Sequence, residues 1–176
     1  MATNAQSQDP ISEALRKITY GYYILTTRKS AEELSTRDQD YIAAGTVCWV
    51  TQVSFEPHVV MVAVEKTSDL NETIQKSRVF ALNVLGRKNQ PLIEKFSRKT
   101  NVEEGAHQLN DYNFEDGKTG SPLLTDTVAS FECNLVEVIH SKADHVLFLG
   151  EVVEAIVRDA DEPLLADLDA NYKYGG

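Results

Sequence analysis

Apolar residues recur along this chain in short runs whose spacing changes from helical to extended and back. Ile11, Leu15 and Ile18 stand at i, i+4 and i+7, which predicts a helix through about Lys17–Ile18, with Asp9 as its cap and Pro10 in its first position. Thr19–Thr27 (TYGYYILTT) is aromatic and β-branched and predicts the first strand. Its three tyrosines suit core or interface packing, or a stacking surface. Two apolar runs, Ile42–Val53 and Val59–Val64, flank the polar break Ser54–His58, and Pro57 within that break cannot donate to a ladder. They predict strand, turn and strand. A helix follows from Ser68 or Asp69 to about Lys76, with Leu70 and Ile74 inward and Asp69–Glu72 at the capping-box spacing.

Val79–Leu85 (VFALNVL) lacks alternation, which predicts a strand buried on both faces and ended by Gly86. Pro91 opens the next helix, Leu92, Ile93 and Phe96 give its apolar face, and Arg98-Lys99 close it. Val128–His140 and His145–Val157, joined by a turn at Ser141–Asp144, predict a long antiparallel hairpin in which Gly150 permits a bend or bulge. Two stretches carry no apolar period. Arg28–Asp40 reads as a surface loop, either a lid or a plain connection, and Thr100–Gly120 as a long loop with little regular structure, anchored by Leu109, Tyr112 and Phe114. The expected organisation is a tail over residues 1–8, one domain over 9–165 and an acidic tail over 166–176, with no internal repeat.

Composition narrows the function classes. At 176 residues, 42% hydrophobic and 25% charged, the chain is an ordinary globular domain. Its formal net charge of −10 opposes binding to nucleic acid or an anionic membrane, so any phosphate needs a local pocket that overrides the global field. There is no run of apolar residues long enough to span a bilayer and no basic-then-apolar leader, which predicts a cytoplasmic protein with Cys48 and Cys133 reduced.

The candidate chemistry is concentrated early in the chain. Thr46, Thr51, Gln52 and Ser54 cluster towards the end of one predicted strand, and the next ends in Lys66-Thr67-Ser68 at a helix start. Hydroxyls, a lysine and free helix N–H groups at one end of a hairpin would make a phosphate site. The same residues also suit plain strand hydroxyls and a solvated strand end. Neither G-x-G-x-x-G nor a P-loop occurs, nor a G-x-S-x-G elbow. His58, His107, His140 and His145 lack metal-ligand spacing, so no metal is expected. Trp49 suits a core position or the flank of an aromatic ligand.

The pattern A-G-T-x-x-W-x-T-Q-x-S-F-E-P followed by V-A-V-E-K-T-S resembles the FMN-binding hairpin of the flavin reductase-like family. That group includes short-chain flavin reductases, flavoredoxins and the flavin reductase-like domains of flavodiiron proteins. F-x-x-N-V-L, G-x-P-x-L, A-x-F-E-C and A-D-H-x-x-F-x-G-E-V follow in the family's order, so the resemblance spans roughly Ala14 to Leu165. It implies a mainly β fold, a six-stranded antiparallel split barrel with flanking α-helices, dimeric, with FMN near the subunit interface.

The resemblance also implies roles. Thr51, Ser54, Lys66 and the Thr67-Ser68 helix start would hold the FMN phosphate, with Arg98 or Lys99 as a further cation. Backbone amides from Val47 through Cys48, Trp49, Val50 and Thr51 to Gln52 would line the isoalloxazine ring. His145 stands where the family's G-D-H histidine orients the nicotinamide; a structural turn histidine is the other reading. Ala143 replaces the glycine of that motif, His58 a frequent second proline, and Cys48 a small polar residue. The implied reaction is hydride transfer from NAD(P)H to flavin, with electrons passed on to an acceptor, a redox partner or a monooxygenase. An FMN electron carrier with little NAD(P)H activity, and a flavin-free module that keeps only the fold, are the alternatives.

Overall fold

The apolar run Ile42–Val53, expected to form one strand, breaks in two, and that break shapes the molecule. The computed structural model describes residues 9–29, 42–103, 105 and 107–170. Among them β1 (Tyr23–Arg28), β2 (Ile42–Val47), β3 (Val50–Ser54), β4 (Val59–Glu65), β5 (Val79–Val84), β10 (Ala129–His140) and β11 (His145–Val157) form one antiparallel sheet. Its strand order is β2-β1-β5-β10-β11-β4-β3. The two outermost strands, β2 and β3, are therefore consecutive in the chain and separated only by Cys48 and Trp49. A sheet whose opposite edges are joined by two residues has to curl round until they meet. The Val50 N–H closes a tight turn on the Cys48 carbonyl at 3.0 Å, and the Ala63 N–H of β4 reaches the Trp49 carbonyl at 3.0 Å. This sheet holds seven strands rather than six.

The β3–β4 hairpin carries a cis Glu56–Pro57 bond and a register shift between Gln52 and Ser54. β5 is central, and its four middle residues are buried, as its unbroken apolar run predicts. β10 and β11 form the expected long hairpin, with register shifts at Glu132/Cys133 and Leu135/Glu137. Gly150 pairs with Leu135 beside the second shift. A Cβ there would lie 2.5 Å from Phe80 Cζ, so the phenyl ring occupies the space a side chain would need.

α2 (Asp69–Ser77) starts at Ser68, whose Oγ accepts the Asn71 N–H at 3.2 Å. Glu72 turns to Lys76 on its own helix instead of completing a capping box with Asp69. α3 (Gln90–Phe96) follows a short 3₁₀ turn at Arg87–Asn89 and buries Leu92, Ile93 and Phe96. α1 is shorter than its apolar period suggests, Pro10–Leu15, and buries none of its residues.

Two further sequence expectations change. The first strand begins at Tyr23, not Thr19, because Tyr20 and Tyr22 instead hydrogen-bond the returning segment at Leu165–Asp167. Thr100–Gly120 is not structureless. It contributes β6 (Val102–Glu103), β7 (Gln108–Leu109) and β8 (Tyr112–Asp116), which with β9 (Pro122–Leu124) form a second, four-stranded sheet. Burial of Leu109, Phe114 and Leu124 holds it against α3 and the large sheet. The surface loop at Arg28–Asp40 lies outside the described residues except for Arg28 and Lys29, as do residues 1–8 and 171–176, whereas Ala166 of the expected tail bridges to Gly21.

One apolar cluster fills the curl around Leu25, Val62, Phe80, Leu82 and Phe148, and another fills the space under α3 around Tyr22, Ile24, Leu85, Phe96 and Leu109. Asn83 ties four strands together in this interior. Its Nδ2 donates to the Ile24 carbonyl (3.0 Å) and to Thr26 Oγ1 (3.2 Å), and its Oδ1 accepts from Leu124 N–H (2.9 Å) and Ser130 Oγ (2.8 Å). Both donors and the acceptor of this buried amide are satisfied, which fixes the second sheet on the first.

Candidate functional site

Where β2 and β4 diverge, the curl leaves a cleft of about 530 Å³, within the range of small-molecule sites. Its floor is β2, whose sequence Ile42-Ala43-Ala44-Gly45-Thr46 keeps side chains small. A Cβ at Gly45 would lie 2.9 Å from Leu70 Cδ1 of α2, a contact that a small shift of that side-chain end would relieve. One wall is the end of β4 and the start of α2, through Ala63–Glu65 and Ser68–Leu70. The other is Phe96–Thr100 after α3.

β2 is an edge strand, so alternate backbone groups face away from β1. At Ala44 these are taken by Thr100, whose Oγ1 accepts the Ala44 N–H and donates to its carbonyl, both at 3.1 Å. The next outward pair belongs to Thr46, on the cleft. Its side chain is anchored to the Ile93 carbonyl at 2.8 Å.

The cleft has two unlike ends. Towards Ile42 stand Lys29, which follows β1, and Asp69 of α2, while Ser68, Arg98 and Lys99 also line the cleft. Lys29 Nζ lies 3.4 Å from Asp69 Oδ1, and Arg98 pairs with Glu94. The N-terminus of α2 adds free N–H groups and the positive end of its dipole. Past Val47, about 17 Å from Ile42 by strand rise, the chain reaches an aromatic group beside the cleft. The rings of Trp49 and His145 are 4.6 Å apart, and Tyr20 is 6.4 Å from Trp49. His145 pairs in register with Glu65, a cleft residue.

His145 Nδ1 lies 2.7 Å from Asp144 Oδ1, and that hydrogen bond holds the Asp144 carboxyl below its usual range. In the neutral ring the proton then sits on Nδ1, which leaves Nε2 as an acceptor. Nε2 is buried and has no hydrogen-bond partner. Cys48 contributes backbone only: burial, and then the charge of Asp167, push its thiol up to about 12.

The expected site residues divide. Val47, Ser68, Arg98 and Lys99 line the cleft, whereas Trp49 and His145 are not among its lining residues and pack on each other beside it, past Val47 in the chain and opposite Glu65 in register. Thr51, Gln52 and Ser54 do not gather with Lys66. Ser54 pairs with Val59 at the far end of β4, about 23 Å along the strand from Lys66. Both runs end near a polar cluster, but β3 runs antiparallel to β4, so the clusters fall at opposite ends. Val50 packs against the core. Lys66 Nζ donates to the Ser141 carbonyl at 2.7 Å, and Thr67 Oγ1 to Glu65 Oε1 at 3.0 Å. Sequence reasoning passed over Lys29 and Thr100, which reach the cleft only through the strand order.

The family model described as "Flavin reductase like domain" matches residues 15–176. This chain belongs to that family. It is 28% identical over 151 residues to diflavin flavoprotein A 1 of Synechocystis sp., covering 86% of this chain and 24% of that one. It is 29% identical over 158 residues to a ferric-chelate reductase (NAD(P)H) of Archaeoglobus fulgidus, covering 88% and 86%. Among solved structures, the styrene monooxygenase flavin reductase of Pseudomonas putida superposes with a TM-score of 0.70 at 21% identity, covering 90% and 91%, and shares the fold. The chain spans about a quarter of the length of the diflavin flavoproteins it matches.

Proposed function

We propose that this flavin reductase-like domain binds FMN in the cleft and transfers hydride from NAD(P)H to it. The observation that carries the reading is the cleft's lining: cations and a helix N-terminus on its walls, a floor of mostly small residues, and an aromatic pair with a buried acceptor nitrogen beside it. A flat ring on a phosphorylated chain needs those three features. The donor set fits the group: Ser68, Arg98 and Lys99 at its phosphate, the outward backbone of Thr46 and the Val47–Trp49 turn at its ring edge. Bound flavin supplies a ring that accepts two electrons and a proton as hydride. The chain's own residues bind, orient and exclude water. Trp49 covers the ring end, and His145, its tautomer held by Asp144, presents Nε2 as an acceptor for the carboxamide of the nicotinamide once a side-chain movement uncovers that buried atom.

Relatives named as a ferric-chelate reductase (NAD(P)H) and an FMN reductase (NADH) support the donor. The long diflavin relatives support a second reading, in which the same flavin relays electrons between protein partners with little NAD(P)H oxidation. We infer a homodimer as well, supported by exposed Val136, Ile139, Val153, Ile156 and Val157 along β10 and β11. Mixing the purified protein with FMN and NADH should bleach the flavin absorption band faster than FMN and NADH alone. Tight FMN binding without acceleration selects the relay, and no FMN binding overturns both.

A further inference from the structure

Lys29 is the last described residue after β1, and its side chain is only 15% exposed. A lysine so far out of water needs a counter-charge. Asp69 provides it from the first turn of α2, where the helix dipole already favours negative charge. Their separation of 3.4 Å exceeds the 2.7–2.9 Å of a charge-assisted hydrogen bond. The carboxylate is 55% exposed and has room to turn away into solvent. It lies beside the Ser68 helix start and across the cleft from Arg98 and Lys99.

We propose that Asp69 is a built-in competitor for the phosphate of a flavin mononucleotide, and that Lys29 is the cation both compete for. This rests on the flavin reading above and assigns to it Lys29, which no motif marks, and Asp69, marked only by its helix-capping spacing. When the phosphate enters, Lys29 Nζ exchanges the Asp69 carboxylate for a phosphate oxygen. The aspartate thereby weakens FMN binding and leaves riboflavin, which lacks the phosphate, unaffected. A domain set up this way holds its flavin loosely enough to exchange it.

The test is titration of FMN and of riboflavin into the full chain and its Asp69→Asn and Lys29→Met variants, followed by flavin fluorescence, with circular dichroism to confirm folding. Asp69→Asn should tighten FMN at least threefold, Lys29→Met should weaken it about tenfold, and riboflavin affinity should move in neither. The preference of wild-type protein for FMN over riboflavin should also shrink as salt rises. If both flavins bind and Asp69→Asn leaves that preference unchanged or lowers it, this inference alone is overturned. A Lys29→Met variant that weakens both flavins equally overturns it as well. Wild-type protein that binds neither flavin overturns the flavin reading, and this inference with it.

Discussion

The imidazole of His145 lies 4.6 Å from the indole of Trp49, centroid to centroid, although nearly a hundred residues separate them in the chain. The contact exists because β4 pairs with β11 and the turn before β3 folds back on β4. It sets a buried acceptor nitrogen in an aromatic pair beside the cleft.

Replacing His145 by alanine should therefore raise KM for NAD(P)H about tenfold, the worth of one buried hydrogen bond of about 1.4 kcal/mol, with flavin affinity little changed. Asp144→Ala, which releases the tautomer, should move KM in the same direction by less. Steady-state kinetics with both variants would check this. A fall in kcat at constant KM would place the histidine elsewhere.

Asn83→Ala removes an amide that serves β1, β5, β9 and β10. It leaves the Leu124 N–H and the Ser130 hydroxyl without their acceptor in the interior. The expected loss is about 3 kcal/mol, measured as a lower urea midpoint with an unchanged slope.

Both cysteines are buried, and burial is the main force pushing Cys48 and Cys133 up to about 12 from 9.0. Folded protein should resist iodoacetamide at pH 8, and denatured protein should take up two equivalents. The folded chain holds these protons more tightly than the unfolded one. The stability involved is thus whole below about pH 9 and falls as pH climbs towards 12. Denaturation midpoints across that window test the sign.

Gly150→Ala drives a methyl group into Phe80 and should cost about 1–3 kcal/mol. Phe80→Leu in the same chain should recover part of that loss, since the two changes share one space. Thermal melts of the two single variants and the double variant would show the coupling.

Elements with strong local signals were legible in the sequence: the buried run of β5, the β10–β11 hairpin, and the helices α2 and α3. The break at Cys48–Trp49 was not. Its turn uses no glycine or proline, and the residues on either side are apolar enough to pass for one strand. The β7–β8 hairpin does carry a local signal in its turn. Asn110 and Asp111 both take positive φ, 48° and 74°, and these residue types tolerate that best after glycine. In the cleft, Ser68 follows from a local helix start and Arg98 and Lys99 from the family resemblance, whereas Lys29 and Thr100 depend on which strand stands at which edge. Thr51 and Ser54 lie close to Lys66 in sequence, and antiparallel pairing sends them apart.

The joint between Cys48 and Trp49 also bears on kinetics. β2 and β3 are neighbours in sequence, but the cleft beside them exists only after pairings such as Val60 with Gly150 and Phe80 with Cys133 have formed. Such distant partners make for slow, late closure. A nascent or half-collapsed chain therefore has no receptor for a nucleotide, and binding competence arrives in one step with the finished architecture.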